Sequence, residues 1–223
     1  MYPSGKVLFI IPLGDIVPYL STINMIILAV LLAVLALPIL SNTDVYVEID
    51  HRRPRIKAKI VSPREDKIKA ALALVSTLAA TGVVTTGDVF NFTLFLSLLG
   101  ISNMGLIGTT VEDEFALECA FNYGLMCLIA SLPLFGGAAL ILASTGTLSV
   151  HELMKMPKGA GGWTLTYGKA LLTAGVIGEA GVGPFYAVKV DSFRRIWGRY
   201  AFVIHLTTLL TFSRYLELLA ALP

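Results

Sequence analysis

The chain has 223 residues, of which 56% are hydrophobic and only 14% charged, with a net charge of +2. Ordinary soluble domains carry roughly 45–50% apolar and about 25% charged residues. This balance leaves no room for a sizeable soluble domain and implies a multi-pass membrane protein, because six stretches of about 20 apolar residues, each long enough to span a bilayer, use up most of the length. The two cysteines, Cys119 and Cys127, share one apolar run and are not spaced as a redox pair or a zinc knuckle. They read as small apolar helix residues. Lys6 is the only early basic residue and no clean small-residue cleavage site follows it, so no signal peptide is expected.

Residues 1–20 hold Pro3, Pro12, Pro18, Gly14 and Asp15, and Val7 to Pro12 is too short to span. This lead-in is either interfacial or re-entrant, or a surface tail packed on a neighbour. A first helix is predicted over roughly Ser21 to Leu40, nearly pure Leu, Ile, Val and Ala. Residues 41–66 are polar. Val45, Val47 and Ile49 alternate with Tyr46 and Glu48, and Ile56, Ala58 and Ile60 alternate with Lys57 and Lys59. Period two suggests two short strands with Arg52, Arg53 and Pro54 at their turn. A basic turn could contact nucleic acid; the reading preferred is a loop that sets topology or docks a soluble subunit.

A second helix is predicted over roughly Asp66 to Thr86 and a third over roughly Val89 to Gly108. Gly87 and Asp88 form the hinge between them. Asn91, Thr93, Ser97, Ser102 and Asn103 on the third helix are costly against lipid and should face other helices. Asn91-Phe92-Thr93 matches a glycosylation sequon but opens a buried helix. After the acidic residues Glu112, Asp113 and Glu114, a fourth helix runs roughly from Phe115 to Ser144. It contains Pro133, which removes a backbone donor and kinks a helix.

Residues 145–165 read as a loop. His151-Glu152 lacks a second histidine four residues on, and Gly159 to Gly162 lacks the ending of a phosphate loop. A fifth helix over roughly Thr166 to Val188 is interrupted by Gly175, Gly178, Gly181, Gly183 and Pro184, with Glu179 among them. That is the pattern of a broken membrane helix, a typical place for an ion site. A sixth helix, roughly Arg199 to Ala221, carries His205, Arg214 and Glu217. Twelve of the 17 lysines and arginines fall in or beside loops 41–66 and 189–199. The positive-inside rule places those loops in the cytoplasm.

Glu179 is the leading candidate for chemistry. An ionised carboxylate at mid-bilayer costs on the order of 2.5–3.5 kcal/mol even on the lenient insertion scale, so its proton is coupled to its surroundings. Asp88 is either a helix cap or an ion-handling group. His205 is either a satisfied core histidine or a relay. Arg214 and Glu217 are spaced as an intrahelical pair. Asn122 and Tyr123 could line a polar path. No catalytic residue, metal ligand or cofactor is expected.

These residues carry a resemblance. Thr-Gly-Asp-Val-Phe-Asn-Phe-Thr-Leu-Phe-Leu-Ser at 86–97 is similar to a motif of Mrp-type cation/proton antiporter subunits. The same family includes the antiporter-like subunits of respiratory complex I and of membrane-bound hydrogenases. Ala116-Leu117-Glu118 through Asn122-Tyr123, then Gly146-Thr-Leu-Ser, resembles its next helix. Gly178-Glu179-Ala-Gly-Val-Gly-Pro-Phe-Tyr resembles its broken helix, with Asp191 in place of a later aspartate.

The resemblance implies an all-α integral membrane fold of about six transmembrane helices: one five-helix antiporter-type bundle with a broken helix, plus an extra N-terminal helix. The divisions expected are 1–41, 42–66 and 67–223. The family's motif glutamate is Ser97 here, its helix lysine Asn122 and its broken-helix lysine Glu179. His205 is the titratable residue nearest its second buried lysine. Full antiporters have two inverted bundles, and this chain matches one. It resembles the half-length subunits of methanogen energy-converting hydrogenases. The resemblance implies a membrane subunit of a complex-I-like [NiFe] hydrogenase, with an ion path through Glu179, Asp88, Asn91, Ser97, Asn122 and His205. Its partners would be other membrane subunits and the lipid bilayer, with no nucleic acid. The alternatives are a subunit of an Mrp-type antiporter and a structural spacer.

Overall fold

The computed structural model describes residues 22–40, 45–49, 56–60, 63–109, 114–196 and 198–223. The lead-in at 1–20, the basic turn at Arg52 to Pro54, and the acidic residues Glu112 and Asp113 lie outside the described residues.

Helix α1 (Thr22–Leu40) is followed by two strands, β1 (Val45–Ile49) and β2 (Ile56–Ile60). They pair antiparallel with Val45 opposite Ile60 and Ile49 opposite Ile56. The bundle proper is α2 (Pro63–Thr85), α3 (Val89–Gly108), α4 (Glu114–Thr145), the short α5 (Val150–Leu153), α6 (Gly162–Glu179), a 3₁₀ turn at Gly183–Phe185, α7 (Tyr186–Arg195) and α8 (Gly198–Ala221). Among the described residues, four continuous stretches are long and apolar enough to cross a membrane: Arg64–Thr85, Val89–Gly108, Phe115–Thr145 and Tyr200–Ala221. The fifth arm is the broken unit of α6, the 3₁₀ turn and α7. α1 packs on α2 and α8 as the extra helix. The fold is an all-α membrane bundle.

The broken arm departs from the sequence reading at both ends. α6 starts at Gly162, where a loop to residue 165 was expected, and it stops at Glu179, short of Val188. Residues 186–195, expected as helix end and loop, form α7. The physical reason is glycine. Gly161 at the start has φ +86° and Gly181 in the break has φ +62°, left-handed values that cost other residues free energy. Pro184 then restarts the chain in the first turn of the 3₁₀ segment.

Two apolar clusters fill the bundle. One joins Ala79 and Val83 of α2, Phe92 and Leu96 of α3, Leu134 of α4 and Leu210 of α8. The other joins Ala73 of α2, Leu106 of α3, Met126 of α4 and Ile204 of α8. On α2, α3 and α8 a polar residue falls between the two sets: Ser76, Asn103 and Thr207, all buried. The bundle therefore has a polar layer between two dry ones. Thr77 donates to the Ala73 carbonyl, and Thr207 and Thr211 to those of Val203 and Thr207, each at 2.8–2.9 Å. Such back-bonding gives each hydroxyl a partner inside a membrane bundle.

The hinge between α2 and α3 is braced from two sides. Val89 donates its amide to the Leu148 carbonyl at 3.0 Å, and Val150 to the Gly87 carbonyl at 2.8 Å. Arg214, only 2% exposed, reaches from α8 to donate to the Thr86 carbonyl at 2.8 Å and to Glu217 at 2.6 Å. The expected intrahelical pair thus doubles as an anchor for the hinge.

Small residues line the crossing of α4 and α6 and let the two backbones approach closely. A Cβ added at Gly137 would lie 2.7 Å from the Leu172 amide nitrogen and 2.8 Å from the Gly168 carbonyl, both backbone atoms that cannot swing aside. Gly137→Ala is expected to destabilise the protein by about 1–3 kcal/mol, the usual range for overpacking. Gly136→Ala, whose Cβ would meet only the Leu171 side chain at 3.7 Å, should be tolerated. Thermal unfolding of the two variants in detergent checks the contrast.

Candidate functional site

The polar layer converges on Glu179, the last residue of α6, which is 5% exposed. Burial follows from its place at the helix break, where the chain turns inside the bundle. Ser76 of α2 donates its hydroxyl to Asn103 Oδ1 of α3 at 2.8 Å. Asn103 lines the same small cavity as Tyr123 of α4 and Glu179. Cys127 follows Tyr123 one turn along the same helix, and its thiol and the Glu179 carboxylate both lie against Gly100. These side chains bring α2, α3, α4 and α6 together around the carboxylate. Gly100 of α3 makes room for this approach: a Cβ there would come within 2.9 Å of Glu179 Oε2 and 3.0 Å of Cys127 Sγ.

On the far side, Lys189 of α7 is 6% exposed, donates to the Ala180 carbonyl at 2.5 Å and acts by its charge on Glu179. Among the described residues, Glu179 Oε1 has no hydrogen-bond partner. A buried oxygen without a partner costs about 1–3 kcal/mol. Glu179 also lines a small cavity of about 10 Å³ with Asn103, Tyr123, Thr208 and Thr211. That volume admits about one water molecule, which needs roughly 10–15 Å³. The arrangement can hold a proton on a carboxyl group flanked by a thiol, a water-sized space and an ammonium. Among the described residues, no cluster of three or more His, Cys, Asp or Glu side chains is grouped to hold a metal ion.

Of the six residues expected in an ion path, the structure places only Glu179 in this layer. Asp88 is the N-cap of α3 and accepts the Asn91 amide at 2.9 Å. Asn91 is half-buried in the first turn. Ser97 is half-buried with its hydroxyl oxygen buried and, among the described residues, unpartnered. Asn122 and His205 lie on exposed sides of α4 and α8 and do not join the interior path. The reason is angular: Tyr123 and Cys127, four apart, occupy the inner face of α4, so Asn122 is turned about 100° away.

Sequence reasoning missed Ser76, Asn103, Cys127 and Lys189 as parts of one site. The available signals were polar residues at mid-helix and a cysteine one turn after a tyrosine. Lys189 was assigned to a loop because α7 was not foreseen.

Comparison with known proteins decides the family. The profile described as NADH dehydrogenase I, subunit N related protein matches residues 1–222. The chain belongs to this family. An uncharacterised protein of Methanocaldococcus jannaschii is 38% identical over 97% of this chain and 96% of its own length. The NADH-quinone oxidoreductase subunit N of Cereibacter sphaeroides is 34% identical over 55% of this chain, which spans 26% of that protein. A chain in the structure of the membrane-bound sulfane sulfur reductase, an archaeal respiratory membrane complex, superposes with a TM-score of 0.73 and 25% identity. The match covers 96% of this chain and 41% of that one. A chain of the Mrp complex from Dietzia shares the fold, with a TM-score of 0.53 and 19% identity over 81% of this chain and 40% of its own. The chain is therefore an antiporter-like membrane protein spanning under half of the longer members it matches.

The cap of α3 yields a check that is separate from any transport activity. Asp88→Ala is expected to lower stability by about 1 kcal/mol, the usual cost of losing an N-cap side chain, whereas Asp88→Asn should retain most of it. Thermal unfolding of the pair measures the difference.

Proposed function

We propose that this chain is the antiporter-like membrane subunit of a complex-I-like energy-converting [NiFe] hydrogenase. In that role it takes part in moving protons or sodium ions as electrons pass between hydrogen and ferredoxin. The observation that carries the ion-moving part is Glu179: a buried carboxylate at a helix break, sharing a small cavity with Asn103 and Tyr123, with Cys127 beside it and Lys189 on the adjoining Ala180 carbonyl. A group in this position changes its charge only if its neighbours respond, which is what coupling requires. Redox centres belong to other chains of the complex, because two cysteines on one helix do not supply the four ligands of an iron–sulfur cluster.

The membership is supported by the family match and by the likeness to a respiratory membrane complex. The hydrogenase assignment rests on the resemblance of the motifs at 86–97 and 178–186, and a relative in M. jannaschii matches nearly the whole chain. In this reading the segment 41–66 and the segment 189–199, which opens within α7, lie toward the cytoplasmic side, and the partners are further membrane subunits. Asp88, Asn91 and Ser97 line the outer approach along α3, while Asn122 and His205 serve contacts to neighbouring chains or lipid. The division into 1–41, 42–66 and 67–223 is kept as part of the proposal.

The second reading is a piece of an Mrp-type antiporter without a redox partner, favoured by the shared fold. Purification of the complex with its hydrogenase large subunit separates the two. In vesicles holding the purified complex, Glu179→Gln is expected to abolish ion-gradient-driven ferredoxin reduction while leaving the subunit composition unchanged. Full coupling in the variant would reduce the chain to a spacer, and the absence of any redox partner would move the antiporter reading ahead.

A further inference from the structure

A broken membrane helix holds ions because the break frees carbonyls at the C-terminal end of its first half, the negative end of the helix dipole. In this protein four of those carbonyls are taken. Val176 accepts from the Ala180 amide at 2.8 Å, Gly178 from the Gly181 amide at 2.9 Å and Ile177 from the Val182 amide at 3.1 Å. The Ala180 carbonyl, just past the end of α6, accepts from the Lys189 ammonium. Lys189 reaches it by laying its stem along the break, where a Cβ at Gly181 would lie 2.6 Å from Lys189 Cδ. A glycine is needed there twice over, for its φ of +62° and for the lysine stem.

A positive charge thus already stands at the broken end, beside the Glu179 carboxylate whose charge it feels. Across the space left by Gly100 stands the Cys127 thiol, a soft ligand that does not suit a hard cation, which prefers oxygen. The adjoining cavity, at about 10 Å³, has room for one water.

We propose that Lys189 is a tethered cation occupying the place a sodium ion would take in the broken helix, so that the ion exchanged at Glu179 is the proton. The inference rests on the reading of Glu179 as the ion carrier. The step balances simply. With the carboxylate ionised, the carboxylate and ammonium charges cancel. A proton delivered by water in the cavity converts the carboxylate to the acid, the water is left neutral, and the site carries +1 until the proton moves on. Sodium has no part in either state. Lys189 is a positioning residue: its ammonium holds the carboxylate and closes the carbonyl end.

The test uses the intact complex in sealed vesicles, with an interior pH dye and radioactive sodium as the two probes. The quantity read is the part of each flux that Glu179→Gln removes. The expected result is a Glu179-dependent proton flux that persists when sodium is replaced by choline, with no Glu179-dependent sodium uptake. Lys189→Ala is expected to slow proton movement by about a hundredfold, a size typical of losing a positioned proton-transfer partner. Sodium, but not choline, should restore part of it by entering the vacated carbonyl end, and Lys189→Arg should retain most of the rate. Sodium uptake lost in Glu179→Gln would overturn the inference while leaving Glu179 as the carrier. So would a Lys189→Ala complex that works like wild type in choline. If Glu179→Gln alters neither flux, the underlying reading fails instead. If Lys189→Ala does not assemble, the wild-type sodium and proton fluxes decide alone.

Discussion

A carboxylate buried at the point where a membrane helix breaks sets the terms for the rest of this structure. Glu179 could not stay ionised against lipid without help, and its surroundings supply that help from several helices at once. A thiol reaches it from α4, an ammonium from α7, and a glycine on α3 leaves the space it occupies. Each of these depends on close approach of the backbones, so the small residues at the α4–α6 crossing are as necessary to the site as the groups that touch the carboxylate.

The bundle separates this polar layer from the membrane surfaces by two apolar clusters. Charge inside such a layer interacts strongly because the surrounding dielectric is low. The Ser76, Asn103, Tyr123 and Cys127 side chains then matter as more than decoration: Ser76 donates to Asn103, and Asn103, Tyr123 and Cys127 gather around the Glu179 carboxylate. At the far end of the bundle the hinge is held by backbone pairing with the loop after α4 and by Arg214 from α8. α8 therefore meets the α2–α3 hinge at one end and, through Thr208 and Thr211, the cavity beside Glu179 in the middle.

Compared with the family pattern that the sequence resembles, the charges have changed places. Ser97 stands where a glutamate is expected and Glu179 where a lysine is expected, and the lysine is found at position 189 instead. The chain retains a carboxylate and an ammonium in its interior, but both now belong to the broken arm. The broken arm thus holds both groups itself.

Composition alone determined that this is a membrane protein, and long apolar runs placed α2, α3, α4 and α8 to within a few residues, because a bilayer demands continuous hydrophobic length. Glu179 was legible for the same reason: a charge amid glycines in an apolar segment stands out. The start of α6 at Gly162, the existence of α7 and the burial of Lys189 were not legible, since glycine both ends and begins helices and a lysine past a break reads as loop. Nor could the sequence choose among the polar residues. Asn122 and Tyr123 are adjacent in the chain, and only the rotation of α4 against its neighbours turned one outward and the other into the layer with Asn103 and Cys127. That choice belongs to tertiary packing, because helix rotation is set by which faces fit together and not by the order of residues along one helix.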